Sequence, residues 1–234
     1  DRQLNDQAQW VVQTGESSSR RVWDHGLRGQ GQVVMTSDSG VRTDHDMFRD
    51  STLAITGWGD YPTHRKIIAY QPGSTDPVVE FGDDASGYFH GSHTAGSVLG
   101  NNDPYSAAPY DGMAPDAKLF FMDLAGPFSY GSIAAPPDLN DLFLPSYVGN
   151  AGGAARISSN SWGTSVNGSY TLHSMQVDQF MWAHPDYLAV FANGNDSYPG
   201  AVGSPATAKD CISVGATGNG ADANVMATFT SRGP

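Results

Sequence analysis

Short apolar runs recur along the chain, each closed by a turn-forming residue, and longer stretches with helical spacing lie between them. Residues 33–36 (Val-Val-Met-Thr), 66–70, 118–122, 156–160, 187–192 and 211–215 are rich in apolar, β-branched or aromatic positions and predict strands. From His90 the chain becomes small and apolar through Gly100, which predicts a tightly packed, buried helix. Residues 138–148 and 172–183 predict two further helices, and residues 22–26 read as a helix end stopped by Gly26. Gly, Pro and Asp punctuate residues 50–86, predicting surface loops around the strand at 66–70, and residues 101–111 predict another loop. Strands alternating with helices argue for an α/β fold with a doubly wound, mostly parallel sheet. No internal repeat, low-complexity tract or interdomain linker divides residues 1–234.

Length and charge narrow the class. At 234 residues the chain fits a single large domain that buries roughly 70–75% of the surface its unfolded form exposes. Acidic residues outnumber basic ones 24 to 12, for a formal charge of −12. Such a surface argues against nucleic acid or an anionic membrane as partner, and is compatible with bound cations and an extracellular location. No apolar run approaches the roughly 20 residues that cross a bilayer. Cys211 is the only cysteine, so no internal disulfide or cysteine-based zinc site can form.

Two stretches carry chemistry. Asp38-Ser39-Gly40 closes the first predicted strand, at the carboxyl edge where α/β sheets bind ligands. His90-Gly91-Ser92-His93-Thr94-Ala95-Gly96 opens the small-residue helix. A neutral imidazole takes a proton from a hydroxyl and returns it to a leaving group, and a buried carboxylate fixes its tautomer. Asp38 is the candidate for that carboxylate, although an aspartate there can also simply cap a turn. Asp44 and Asp46 compete with it, but neither ends an apolar strand. His93, three residues after His90, suggests a metal pair, yet no Glu follows His90 as in His-Glu-x-x-His enzymes. His93 is therefore read as a core or supporting histidine, and Cys211, in an apolar run, as inert. The absence of a Gly-rich loop after the first strand disfavours a nucleotide-binding domain.

In their order, these motifs resemble the subtilisin-like serine peptidases (subtilases). Asp38-Ser39-Gly40 is similar to the family's aspartate motif, and His90 to Gly96 to its histidine motif. Gly112-Met113-Ala114-Pro115, Ser161-Trp162-Gly163, Ala192-Asn193-Gly194-Asn195 and Phe229-Thr230-Ser231-Arg232-Gly233-Pro234 are similar to further family segments. The pattern from Asn160 to Thr171 and from Gly203 to Thr217 resembles the oxidation-resistant alkaline proteases of bacilli. The resemblance implies that Asp38 orients His90, the general base and acid, and that Asn195 donates its amide to an oxyanion. In subtilisin, loss of such a donor costs about 2.7–4 kcal/mol of barrier. It also implies that Ser161, Trp162 and Gly163 pair with an extended peptide substrate, with Leu124, Ala125 and Gly126 as the opposite rail.

The family's nucleophile sits on a buried helix opened by Gly-Thr-Ser-Met-Ala, downstream of the Ser-Arg-Gly-Pro segment, and no such helix follows in this sequence. Ser165, in Gly163-Thr164-Ser165-Val166, follows the substrate-binding turn, but the sequence after it does not continue as a small, apolar helix. Residues 1–234 are accordingly read as the N-terminal part of a subtilase catalytic domain whose sheet is incomplete at its C-terminal end. The expectation is a secreted serine endopeptidase, inactive as this chain alone and completed by a companion polypeptide that carries the nucleophilic serine. The alternative is a non-catalytic, subtilase-like protein that binds peptides or a partner. Structural calcium is compatible with the acidic surplus and with the loop at Asn101-Asn102-Asp103, although Met47 stands where the family often has a calcium-binding Asp.

Overall fold

A computed structural model describes residues 7–75, 78–83, 89–102, 110–126 and 133–233. Two short helices, α1 (Ala8–Gln13) and α2 (Arg21–Asp24), precede β1 (Val33–Asp38), β2 (Gly59–Asp60) and β3 (Ile67–Pro72). Helix α3 (His90–Leu99) leads to β4 (Lys118–Asp123), then α4 (Asn140–Val148) and β5 (Ile157–Asn160). Helix α5 (Leu172–Ala183), β6 (Leu188–Ala192) and β7 (Ile212–Val214) follow. The sheet runs β2-β3-β4-β1-β5-β6-β7, and every pairing is parallel except that of the two-residue edge strand β2 with β3. This is the expected α/β architecture, and the six predicted strands fall within two residues of their observed bounds.

The chain builds outward from β1 in both directions, to β3 and β4 on one side and to β5, β6 and β7 on the other. Strand order therefore reverses at β1, and the crevice at its carboxyl end is where an open α/β sheet takes a ligand. Asp38 is the last residue of β1 and pairs in register with Asp123, the last of β4.

Both faces of a parallel sheet are normally covered, yet coverage here is uneven. On one face Met35, Ala189 and Phe191 pack with Leu142 and Phe143 of α4 and Val177 and Phe180 of α5. On the other, Ala95 and Leu99 of α3 pack over Val34, Ile67, Leu119 and Phe121. That helix covers the β3-β4-β1 half only. Register places Ile157 beside Val34, Leu188 beside Ile157, and Ile212 beside Val190 on the same face. Ile157, Ile212 and Val214 are 43%, 48% and 44% exposed. Among the described residues this half of the face lacks a covering helix.

Candidate active site

Asp38 and His90 meet where the strand end reaches the helix start. Asp38 is buried, and its Oδ1 lies 2.7 Å from Nδ1 of His90, the first residue of α3. Two more donors hold the carboxylate: the Ser39 amide reaches Oδ1 at 2.7 Å, and the Thr94 hydroxyl reaches Oδ2 at 3.0 Å. The carboxylate cannot rotate without breaking all three bonds. With Nδ1 facing Asp38, the imidazole's other nitrogen is the one available for proton transfer. The hydrogen bond to Asp38 raises the His90 pKa above its ordinary value; burial opposes this, and the charges of Asp38 and Asp83 reinforce it.

Close backbone approach makes this contact possible. A Cβ on Gly91 would lie 2.0 Å from the Gly40 carbonyl oxygen, and one on Gly40 would lie 2.3 Å from the Gly82 oxygen. Gly40 also has φ +106°, in the left-handed region that glycine alone enters freely. The helix start, the aspartate turn and residues 82–83 thus meet backbone to backbone.

The proposed substrate turn follows β5. Ser37 Oγ donates to Asn160 Oδ1 at 2.7 Å and accepts from Trp162 Nε1 at 2.9 Å. Asn160 Nδ2 donates in turn to the Val190 carbonyl at 3.1 Å, and the Trp162 ring stands edge-on to Phe191. This buried polar chain fixes the turn across β1, β5 and β6. The main-chain groups of Ser161, Trp162 and Gly163 have no partner among the described residues. Leu124 and Ala125 differ from the opposite-rail expectation. The Leu124 amide donates to Asp38 O and its carbonyl accepts from Ala134, while the Ala125 amide donates to Asp123 Oδ1 and its carbonyl accepts from Glu80. These two residues are engaged as an internal strand edge. Gly126 is the last described residue before residues 127–132, which lie outside the described set.

Two asparagines at the end of β6 divide sharply. Asn193 Nδ2 donates to the Ser231 carbonyl at 2.6 Å, and its Oδ1 accepts from Thr230 Oγ1. Its amide ties the Thr230-Ser231 segment to the sheet. Asn195 is exposed at the same carboxyl edge, and its side chain has no partner among the described residues. The Ser231 amide bonds Gly194 O, and Ser231 Oγ accepts from the Asp196 amide. The Phe-Thr-Ser-Arg segment therefore shapes the turn that presents Asn195.

The remaining candidates sit apart from this chemistry. Ser165 Oγ donates to Asp196 Oδ2 at 2.7 Å and makes no bond to His90. His93 is half-buried with its pKa lowered, first by burial and then by His90. Among the described residues no group of three His, Cys, Asp or Glu side chains could hold a metal ion. Asp44 pairs with Arg42 and Asp46 with Arg49, as solvated loop charges. Burial pushes the Cys211 thiol up to about 11. In the described part of the expected calcium loop the Asn101 carbonyl oxygen accepts from the Arg65 guanidinium, which also bonds the carbonyl oxygens of Asp46 and Arg49. Asp103 lies outside the described residues. Sequence reasoning missed Asp83, which accepts Ser39 Oγ–H at 3.2 Å and the Ser92 amide at 2.8 Å. No periodicity or motif marks it, because it lies in an irregular stretch.

An imidazole backed by a buried carboxylate, at the switch point of a doubly wound parallel sheet, is a pair able to do acid–base chemistry. The chain belongs to the subtilase family, whose profile matches residues 29–234. The tagD protein of Dictyostelium discoideum, a serine protease/ABC transporter B family protein, is 36% identical over 196 residues, 81% of this chain and 10% of that protein. The minor extracellular protease Vpr of Bacillus subtilis is 29% identical over 220 residues, 92% of this chain and 23% of that protein. The chain thus spans between a tenth and a quarter of the length of these relatives. Among solved structures, a protease of Pseudoalteromonas arctica aligns over 100% of this chain and 69% of its own, with TM-score 0.63 and 20% identity. The prenylagaramide maturation protease PagA aligns over 92% and 63%, with TM-score 0.60 and 20% identity. At that identity the structural likeness speaks for the fold.

Proposed function

We propose that this chain is the aspartate–histidine part of a secreted subtilisin-like serine endopeptidase whose nucleophilic serine is carried by a further segment or companion polypeptide. The observation that carries the reading is the 2.7 Å contact of buried Asp38 with His90 at the strand-order switch. In the cycle, His90 accepts the serine proton as the hydroxyl oxygen attacks the peptide carbonyl. It then protonates the leaving amine, leaving an acyl-enzyme that water hydrolyses by the same route. Asp38 holds the imidazole in the required tautomer. Asn195 donates its side-chain amide to the oxyanion, and residues 161–163 pair with the substrate backbone.

The bare half-face over β5-β6-β7 supports the companion. It adjoins α3 and is apolar, so a helix of small, apolar residues would bury Ile157, Leu188, Val190 and Ile212 and bring its first turn towards His90. An exposed apolar area of this kind marks an interaction surface. Secretion is supported by the extracellular relative, and among the described residues no helix is long and apolar enough to cross a membrane.

The test is labelling of the purified protein, with whatever copurifies, by a serine-reactive phosphonate, followed by intact mass of each polypeptide. Label on a companion segment and none on residues 1–234 is the expected result. Label on a serine of this chain, or peptide hydrolysis by this chain alone, refutes the proposal. Peptide binding with no labelled species in any fraction would instead favour a non-catalytic binding protein.

A further inference from the structure

The stretch that sequence reasoning left as loop holds a carboxylate behind the catalytic couple. Asp83 Oδ1 accepts from Ser39 Oγ at 3.2 Å, and Ser39 Oγ accepts from the Gly91 amide at 3.1 Å. Asp83 Oδ2 accepts from the Ser92 amide at 2.8 Å. The second and third amides of α3, which have no intrahelical acceptor, are thus both tied to the Asp38-Ser39 turn, that of Gly91 directly at Ser39 Oγ and that of Ser92 through Asp83. Below this layer Asp123 Oδ2 accepts from Tyr70 Oη at 2.7 Å and the Gly82 amide at 3.2 Å, while Tyr70 Oη accepts from the Val41 amide at 3.0 Å. Residues 82–83 are held between the aspartate turn and the helix start. His90, the first residue of that helix, depends on all of these contacts for its place.

We propose that Asp83 is a positioning residue for the Asp38–His90 couple, clamping the first turn of α3 to the aspartate turn and placing a second negative charge behind the imidazole. The inference rests on the peptidase reading for its meaning, but its geometry and its test need neither substrate nor nucleophile. The groups that face Asp83 are Asp38 on β1, Asp123 on β4, Tyr70 on β3, Arg42 after the turn, and His90 on α3. Burial raises the Asp83 carboxyl to about 6; Asp38 adds to this, and the bonds from Ser92 and Ser39 oppose it. The Asp83 charge raises the His90 pKa, so the two sites are electrostatically linked. Protonating His90 favours the ionised Asp83, so the imidazole curve broadens beyond that of a single site. Asp123, raised by burial to about 7, lies one layer further back and broadens it in the same sense.

The experiment is an NMR titration of the His90 ring, with its Nδ1 proton followed separately, in wild type, Asp83→Asn, Asp83→Ala and Ser39→Ala. Asp83→Asn keeps the shape and loses the charge, so the His90 midpoint should fall and the curve should sharpen. Ser39→Ala keeps the charge and removes a link, so the midpoint should hold while the Nδ1 proton exchanges faster. Asp83→Ala should show both effects. A midpoint and curve shape unchanged in Asp83→Asn, with a slowly exchanging Nδ1 proton retained in Ser39→Ala, would reduce Asp83 to an ordinary helix cap and overturn the inference. Should Asp83→Ala fail to fold, the other two variants decide. Absence of the nucleophile from the whole protein would sink the peptidase reading and leave this measurement untouched.

Discussion

Gly91→Ala isolates the physical basis of the site, because two effects of known sign oppose each other there. Gly91 lies in α3, where alanine is ordinarily the better residue by about 0.5–1 kcal/mol. A methyl group would, however, sit 2.0 Å from the Gly40 carbonyl oxygen and 3.1 Å from Asp38 Cβ. Both neighbours belong to the backbone-anchored aspartate turn, and neither is the end of a flexible side chain. Reaching even 3.0 Å requires the helix start to withdraw by about 1 Å. That movement takes the 2.7 Å bond between His90 and Asp38 beyond hydrogen-bond range. Overpacking of this kind costs about 1–3 kcal/mol, which outweighs the helical gain, and the lost bond adds to it. The expected outcome is a net destabilisation of about 2 kcal/mol in urea unfolding, together with a His90 pKa that returns towards its ordinary value. Gly96→Ala is the matched control in the same helix. Its methyl group would meet Met47 Sδ at 3.3 Å, the end of a flexible side chain. That variant should be neutral or stabilised by up to about 1 kcal/mol. A Gly91→Ala protein as stable as wild type, with an unchanged His90 titration, would refute the reasoning.

Further outcomes follow from the same geometry. On the proposed peptidase reading, Asn195→Ala in the complete protein should lower kcat by about 10²–10³ with unchanged stability, whereas Asn193→Ala should lower the unfolding midpoint because its amide holds Thr230 and Ser231; kinetics and thermal melts on both variants separate the roles. Because the folded-state pKa of His90 is raised, the couple's contribution to stability is present below the ordinary value of 6.5 and lost as pH rises through the raised one. Hydrolysis has the opposite sign: it should climb with pH through that same raised value as the base becomes neutral, and a kcat/KM profile rising at a midpoint below 6.5 would contradict the assignment. With its thiol pushed up to about 11, Cys211 should react with a disulfide reagent at pH 8 about 100-fold more slowly in the native protein than in the unfolded one.

What the sequence made legible is what repeats or ends abruptly. Six strands were readable because apolar runs closed by Asp, Asn or Gly leave few alternatives; the start of α5 is fixed in the structure by a capping box of Thr171 and Ser174. Strand β2 was not readable: two residues, Gly59 and Asp60, carry no period and pair only because β3 presents an edge. Asn193 rivals Asn195 as an oxyanion donor in the sequence, where only the family's Gly-Asn order favours Asn195. They are separated by Thr230 and Ser231, whose approach depends on the tertiary fold. The backbone carbonyls of Leu124 and Ala125 are taken up internally by Ala134 and Glu80, across separations that no local pattern reveals. Asp83 escaped notice for the same reason: its partners Ser39 and Ser92 lie 44 and 9 residues away.

The histidine motif is as much a packing motif as a catalytic one. Its small residues bring α3 against backbone at both ends. Gly91 meets the Gly40 carbonyl at the start, and towards the other end a Cβ on Gly112 would fall 2.4 Å from the Gly96 oxygen and 2.6 Å from the Leu99 amide nitrogen. The helix is thus wedged between the aspartate turn and the segment leading into β4, with amides of Met113 and Ala114 bonding the carbonyls of Ser97 and Val98. Such confinement limits the helix's sliding along its axis, the motion that would change the Asp38–His90 distance most. A substitution at Gly112, far from any reacting atom, should therefore reach His90 through the helix. Gly112→Ala is expected to destabilise the protein by about 1–3 kcal/mol and to speed exchange of the His90 Nδ1 proton. A destabilised Gly112→Ala protein whose Nδ1 proton exchanges as slowly as in wild type would show instead that the couple is held locally, by Asp83 and Ser39 alone.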